Sequence, residues 1–296
     1  MNKLLIISGP TATGKTALAV KMAKLYDGEL ISADSRQIYR GLDIGTGKDH
    51  PENINIHLID IINPDRSFSV AQYRQLAIKK ITEIRAQNKL PILVGGSGQY
   101  IDAVINPRST FSIKPNKLLR YFLNKLSVLY LQKIYSFLDN KNFILLNNSE
   151  KNNPHRLIRK IEMFLSFKSP LSKGDAQRAE GFDTLHISLT APNSYLYPQI
   201  DKRVEKRLKL GLTDEIKNLL KKYSWSDPGF NTLAYKEFKT GFDQKNINIW
   251  RFNEHAYARR QKTWFKKITP ITYIDITENN YPQQVIELVE KWYNLV

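Results

Sequence analysis

The chain opens with short apolar runs alternating with amphipathic stretches. Leu4 to Ile7 is uninterruptedly apolar, too brief for a helix and suited to a strand buried on both faces of a parallel sheet. Leu18, Ala19, Met22, Ala23 and Tyr26 then recur at helical spacing over residues 16–26. Glu29 to Ala33, His57 to Ile61 and Pro91 to Val94 read as further strands. Ser69 to Asn88 reads as a helix with Val70, Tyr73, Ala77, Ile81 and Ile84 on one side. From Lys114 to Asp139 the strand rhythm stops, and Leu118, Phe122, Leu126, Leu129, Ile134 and Leu138 follow a helical pattern. Later segments predict a helix over 155–167, a strand over 186–189 and two helices between Ile200 and Tyr223 around Gly211. A helix over 251–268, a strand near 271–276 and a last helix over 281–293 follow. The pattern predicts an α/β fold, a parallel sheet flanked by helices, formed by residues 1–110 and 151–296. Residues 111–150 are expected to be a small all-helical insertion domain. The sequence has no internal repeat and no low-complexity tract.

The first strand runs into Gly9-Pro10-Thr11-Ala12-Thr13-Gly14-Lys15-Thr16, the G-x-x-x-x-G-K-[ST] pattern of a phosphate-binding loop. Its backbone N–H groups and the following helix N-terminus favour an anion, Lys15 adds a point charge, and the Thr16 hydroxyl suits Mg²⁺. The expected sheet is therefore P-loop NTPase-like. Asp34 stands at the carboxyl end of the second strand, the edge where open parallel sheets bind ligands. Position alone leaves a proton acceptor, a metal ligand through water and a helix cap open for it. Gly95 to Tyr100 is a second glycine loop at a strand's carboxyl end and offers the Ser97 hydroxyl. Asp60, after an apolar run, is either a Mg²⁺ ligand or a turn residue.

Charge changes the picture of the partner. There are 45 Lys and Arg against 28 Asp and Glu, a net charge of +17. The excess is small in 1–110, with 14 basic and 10 acidic residues, and largest in 151–296, with 25 and 16. A polyanion meeting the later part of the chain is the natural expectation. Over 251–268, Arg259, Lys262 and Lys266 interleave with Tyr257, Trp264 and Phe265, a mixture suited to phosphate contacts and base stacking, although core packing also explains the aromatics. The absence of cysteine excludes disulfides, thiol chemistry and cysteine-ligated zinc, leaving oxygen-ligated metals such as Mg²⁺. The first apolar run is too short for a secretory signal, and no stretch approaches the ~20 apolar residues that cross a bilayer. The expectation is a cytoplasmic protein.

The ordered set of motifs resembles the bacterial tRNA dimethylallyltransferase family, also called tRNA isopentenyltransferase. The resemblance rests on Gly9 to Thr16, Ile31 to Tyr39, Leu42 to Lys48, Gly95 to Tyr100, Pro154 to Arg159, Gly211 to Glu215 and Ala258 to Phe265. It implies transfer of a dimethylallyl group from dimethylallyl diphosphate to the exocyclic amine of the adenosine 3′ of a tRNA anticodon, with Mg²⁺. It implies that Asp34 takes the amine proton and that Ser97, where the family usually has threonine, contacts the bridging oxygen of the diphosphate. Arg203 would join the loop in holding that diphosphate. RNA contacts are implied for Asp34, Ser35, Arg36, Gln37 and Ser97, and for Arg120 of the insertion, which would clasp the anticodon stem-loop. The same is implied for His155, Arg156, Leu157, Ile158 and Arg159, for Asn231 and Lys236, and for Arg259, Arg260, Gln261, Lys262, Trp264 and Lys266. The protein would act as a monomer. Departures from the family pattern are Ser97, Gln99 for leucine, Gln199 for arginine and Ala234 for glycine.

Three rival readings remain on the sequence: an adenylate isopentenyltransferase acting on free nucleotide, a small-molecule P-loop kinase or NTPase using Asp60 for Mg²⁺, and a non-catalytic RNA-binding protein on a P-loop scaffold. The basic tail and its aromatics weigh against the first two, and Lys15, Thr16 and Asp34 together weigh against the third.

Overall fold

The computed structural model describes residues 2–49, 51, 54–106, 113, 115–167 and 181–295. They form two compact units, Met1–Asn106 with Glu180–Val296, and Pro107–Ala179.

The larger unit is built on a six-stranded, all-parallel sheet. Its strands are β1 (Lys3–Ser8), β2 (Gly28–Ser32), β3 (Ile56–His57), β4 (Leu90–Gly95), β5 (Asp183–Thr190) and β6 (Thr272–Asp275), in the order β3-β2-β4-β1-β5-β6. β1 and β4 are buried throughout, as uninterrupted apolar runs require when helices cover both faces. On one face, α1 (Lys15–Leu25) packs Leu18, Ala19 and Met22 against Leu5, Ile7 and Ile92, with Val285 and Val289 of α12 (Tyr281–Asn294). On the other, α2 (Val70–Ala86) and α3 (Gly98–Ile105) cover Leu4, Ile6, Ile31 and Leu93. Ser69 starts α2 with a reciprocal capping box to Gln72. Helices α9 (Asn193–Lys209), α10 (Leu212–Leu219) and α11 (Gln244–Phe265) complete the unit.

Three sequence expectations change here. The strand expected over 57–61 ends at His57, because Leu58 and Asp60 turn the backbone to φ of 64° and 57°. The helix before Gly211 starts at Asn193 and carries Pro198 within it, a residue that reads locally as a break. The helix expected over 251–268 begins at Gln244 under an Asp243 cap.

The second unit contains α4 (Lys117–Leu123), α5 (Val128–Leu138), α6 (Asn140–Ile144), α7 (Asn148–Lys151) and α8 (Pro154–Phe167). It is wider than the 111–150 insertion expected, because α8 shares its core: Leu157, Ile158 and Ile161 pack with Leu123, Leu131, Tyr135 and Leu146. Glu162, 1% exposed, ties this unit together. It accepts from Nε and Nη2 of Arg120 at 2.9 and 2.7 Å, from Arg159 at 2.6 Å and from the Asn116 amide at 2.6 Å. Among the described residues no helix is long and apolar enough to cross a membrane.

Candidate active site

The carboxyl ends of β1, β2 and β4 open on one cavity of about 350 Å³ in the larger unit. β1 delivers the phosphate loop, in which Gly14 is left-handed at φ 75° and starts α1. Gly9, at φ 144°, lies so close to Leu189 that a Cβ would sit 2.5 Å from its carbonyl oxygen. Thr13 Oγ1 and Lys15 Nζ both donate to the Pro10 carbonyl, at 2.9 and 2.6 Å, closing the loop on itself. Thr11, Ala12, Gly14, Lys15 and Thr16 line the cavity, while Gly9, Pro10 and Thr13 are buried in the loop.

β2 delivers Asp34 to the same cavity. No helix follows it; its Oδ1 accepts the Arg36 amide at 2.9 Å in a local turn, which removes the helix-cap alternative. β4 delivers Gly95, against which Ala33 packs too tightly for any side chain. Ser97 follows, its hydroxyl accepting the Ser35 amide at 2.9 Å and donating to Ser35 Oγ at 3.1 Å.

One face of α9 supplies Gln199, Arg203 and Arg207 at four-residue spacing. Arg203 Nη1 donates to Thr11 Oγ1 at 3.1 Å. From α11 come Tyr257 and Gln261, and Arg36 lies on the Tyr257 ring with its guanidinium carbon 3.6 Å from the centroid. Glu254, 2% exposed, is the buried counter-charge: it receives Arg36 at 3.3 Å, Trp250 Nε1 at 3.2 Å and the Arg207 guanidinium at 3.6 Å.

Lys15, Arg36, Arg203 and Arg207 bring positive charge to the cavity wall. Burial, then the Arg203 charge, brings Lys15 down to about 7 against the opposing pull of Asp34 and Asp49. Burial and Arg203 likewise bring Arg207 down to about 10, although Glu254 opposes them. Burial pushes the Glu254 carboxyl up, but Arg36 and Arg207 outweigh it and hold the carboxyl below the ordinary range. Concentrated cation in a partly closed cleft favours an anion of several charges. The oxygen donors fit Mg²⁺ as well: the Thr16 hydroxyl and the carboxylates of Asp34 and Asp49 line one cavity, and Mg²⁺ takes few protein ligands beside water and phosphate oxygens.

Several residues expected at an RNA surface are engaged within the fold. Leu157 and Ile158 are 0% and 3% exposed and belong to a core. Arg120 and Arg159 spend their guanidiniums on Glu162. Gln261 is buried, with its amide bonded to backbone. Trp264 packs over Gly98, where no side chain would fit. Lys262 donates to the Ala191 carbonyl at 2.8 Å. His155, Arg156, Asn231, Lys236, Arg259, Arg260 and Lys266 are exposed. Gln37 lines the cavity and donates to the Gly47 carbonyl at 3.3 Å. Asp60 is an ion-pair partner of Lys48 and does not line the cavity, so the kinase reading loses its Mg²⁺ ligand.

Sequence reasoning missed Asp49, Arg207 and Glu254. Arg207 had a signal, its four-residue spacing from Arg203; the other two meet the site only through the fold.

The sheet order, the phosphate loop and the cationic cavity define a P-loop α/β protein built to hold a multiply charged anion beside a carboxylate. Residues 37–268 match the family model described as IPP transferase, and the chain belongs to that family. A relative named tRNA dimethylallyltransferase, from Roseiflexus sp. (strain RS-1), is 36% identical over 302 residues, covering 99% of each chain. The crystal structure of the tRNA isopentenylpyrophosphate transferase from Bacillus halodurans superposes with a TM-score of 0.73 at 34% identity, covering 100% of this chain and 99% of that one. A eukaryotic dimethylallyltransferase acting on tRNA shares the fold, with a TM-score of 0.81 at 23% identity over 98% of this chain and 79% of its own.

Proposed function

We infer that this protein transfers a dimethylallyl group from dimethylallyl diphosphate to the N6 amine of the adenosine 3′ of the anticodon in tRNA. The observation that carries the reading is the meeting of Lys15, Thr16 and Arg203 with Asp34 in one cavity. In the reaction the allylic C–O bond breaks and its electron pair leaves with diphosphate. The adenine nitrogen forms the new C–N bond and gives up a proton. Charge grows on the leaving oxygens, so the loop amides, Lys15 and Arg203 bind the transition state more strongly than the ground state. Asp34 takes the amine proton as it becomes acidic; Ser97, next to Gly96 of the cavity wall and bonded to Ser35, is assigned the contact to the bridging oxygen. Mg²⁺, held by Thr16 and diphosphate oxygens, would add counter-charge to the leaving group.

An adenine in a helix or stacked loop cannot reach a half-buried carboxylate inside a cavity, so the base enters everted. Exposed Arg156, Arg259, Arg260 and Lys266, with His155, Asn231 and Lys236, are the surfaces assigned to RNA phosphates and sugars, and the helical unit is assigned to the anticodon stem-loop. A tRNA substrate supports a cytoplasmic location.

The test mixes protein, Mg²⁺, dimethylallyl diphosphate and unmodified tRNA and analyses the digested nucleosides by mass spectrometry. An adenosine heavier by one dimethylallyl group at the position after the anticodon is expected. Unmodified tRNA with consumption of ATP would overturn the reading in favour of a kinase.

A further inference from the structure

Gln261 joins the two loops that frame the cavity. It is 5% exposed, its Oε1 accepts the Thr11 amide N–H at 2.9 Å, and its Nε2 donates to the Gly96 carbonyl at 2.9 Å. A neutral amide supplies one donor and one acceptor in a fixed plane, and the two backbone groups it meets have the complementary polarity. Gly96 makes the approach possible, since a Cβ there would collide with Gln261 Nε2. The link extends on both sides. Thr11 also receives Arg203 through its hydroxyl, and Gly96 precedes Ser97, whose hydroxyl is tied to Ser35.

We propose that Gln261 is a positioning residue that clamps the phosphate loop to the Ser97 loop, fixing the distance between the cradle for the leaving diphosphate and the edge where Asp34, Ser35 and Ser97 stand. It acts through Thr11 and Gly96 and has no direct part in binding RNA. The proposal rests on the reading that this cavity holds the donor's diphosphate. Removing the amide leaves the buried Gly96 carbonyl and the half-buried Thr11 N–H without this partner and frees the loops to relax apart.

The experiment titrates inorganic diphosphate with Mg²⁺ into the full chain, Gln261→Met and Gln261→Glu, and measures tRNA affinity alongside. Gln261→Met keeps the side chain's length without its polar atoms, and about tenfold weaker diphosphate binding is expected, with tRNA affinity within twofold of wild type. Gln261→Glu is isosteric, which keeps the proposal testable if the Met variant does not fold. At pH 8 its carboxylate accepts from Thr11 but cannot donate to Gly96, and binding is expected to be at least tenfold weaker. As pH falls towards 5.5 the protonated carboxyl donates in place of the amide, and the ratio of variant to wild-type affinity rises towards one; the ratio cancels the titration of Lys15. Diphosphate affinities within twofold of wild type, a ratio independent of pH, or a loss confined to tRNA affinity would each overturn the proposal. A wild-type protein that does not bind diphosphate would sink the reading of the cavity itself.

Discussion

Arg36 stands over the ring of Tyr257, its guanidinium carbon 3.6 Å from the centroid, and donates at 3.3 Å to Glu254, one turn earlier on the helix that carries Tyr257. A cation stacked on an aromatic face and paired with a buried carboxylate is fixed in plane as well as in place. Lysine would keep the charge and lose the plane. Arg36→Lys should lower kcat/KM for transfer about tenfold while leaving the thermal midpoint within a few degrees. A variant as fast as wild type would show that the stacked geometry has no part in the site.

Asp34 sits at the sheet edge with one carboxylate oxygen committed to the Arg36 amide. Asparagine preserves that acceptor and removes the proton acceptor. Asp34→Asn should therefore slow single-turnover transfer by about 100-fold or more, the usual scale of a lost general base, with tRNA affinity changed no more than a few-fold. Near-normal single-turnover rates would remove Asp34 from the chemistry.

Lys15 is held at about 7, well below its ordinary 10.5, mainly by burial and then by Arg203. The sign of the consequence is fixed by linkage. Between pH 7 and about 10.5 the unfolded chain binds a proton at this site that the folded chain does not, so wild-type stability rises with pH across that window. Below pH 7 both states are protonated and the cost of burying the charge is fully present. Lys15→Met should raise the thermal midpoint at pH 6, with the advantage fading towards pH 10, while abolishing transfer. Melting curves of both proteins across pH measure the difference; an advantage that grows with pH would contradict the assignment.

The parts of this site legible in the sequence are those fixed by short-range geometry. Gly9, Gly14, Lys15 and Thr16 carry their mechanism in their spacing, and Leu4 to Ile7 needs only its own composition to read as a buried strand. Asp34 and Ser97 follow because parallel strands deliver their carboxyl ends to one edge. What stayed hidden depends on partners distant in the chain. Glu254 is one more acid in a helix until Arg36, 218 residues earlier, arrives beside it. Gln261 reads with the basic face of its helix until Thr11 and Gly96 claim its amide. Asp60 looks like a strand-end metal ligand because nothing local announces the positive φ values that turn the chain towards Lys48. In the same way, α8 reads as a helix with a basic face and an apolar face of Leu157, Ile161 and Phe164, and only the shared core with α5 shows what the apolar face packs against and that Ile158 joins it.

Arg156 and Arg259 are both exposed, on α8 and α11; Arg156 donates to Ser149 Oγ at 3.5 Å and Arg259 to the Tyr197 hydroxyl at 2.6 Å. If each neutralises a tRNA phosphate, its loss releases fewer counterions on binding. Arg156→Ala and Arg259→Ala should each weaken tRNA binding and flatten the log–log salt dependence by about 0.7–0.9, the value per contact for single- and double-stranded nucleic acid. A weaker affinity with an unchanged slope would assign the loss to packing or shape.

Glu162 makes the opposite case, that basic residues near an expected RNA surface can be structural. Its carboxylate is buried among Arg120, Arg159 and the Asn116 amide; burial pushes its pKa up, but the hydrogen bonds from the two arginines outweigh burial and hold it below the ordinary range. Removing one partner of such a cluster strands the others, at a cost of about 3 kcal/mol, moderated here because Arg120 is partly exposed and can rehydrate. A depressed carboxyl contributes stability that is present above its unfolded value, near 4.3, and is lost as pH falls through the lower folded value. Glu162→Ala should therefore speed amide hydrogen exchange in α4, α5 and α8 at pH 7 and leave the larger unit's sheet protected. The difference between variant and wild type should shrink below pH 4. Arg120→Ala should show the same exchange signature with little change in the salt slope of tRNA binding, whereas a slope flattened as far as in Arg259→Ala would return Arg120 to the RNA surface.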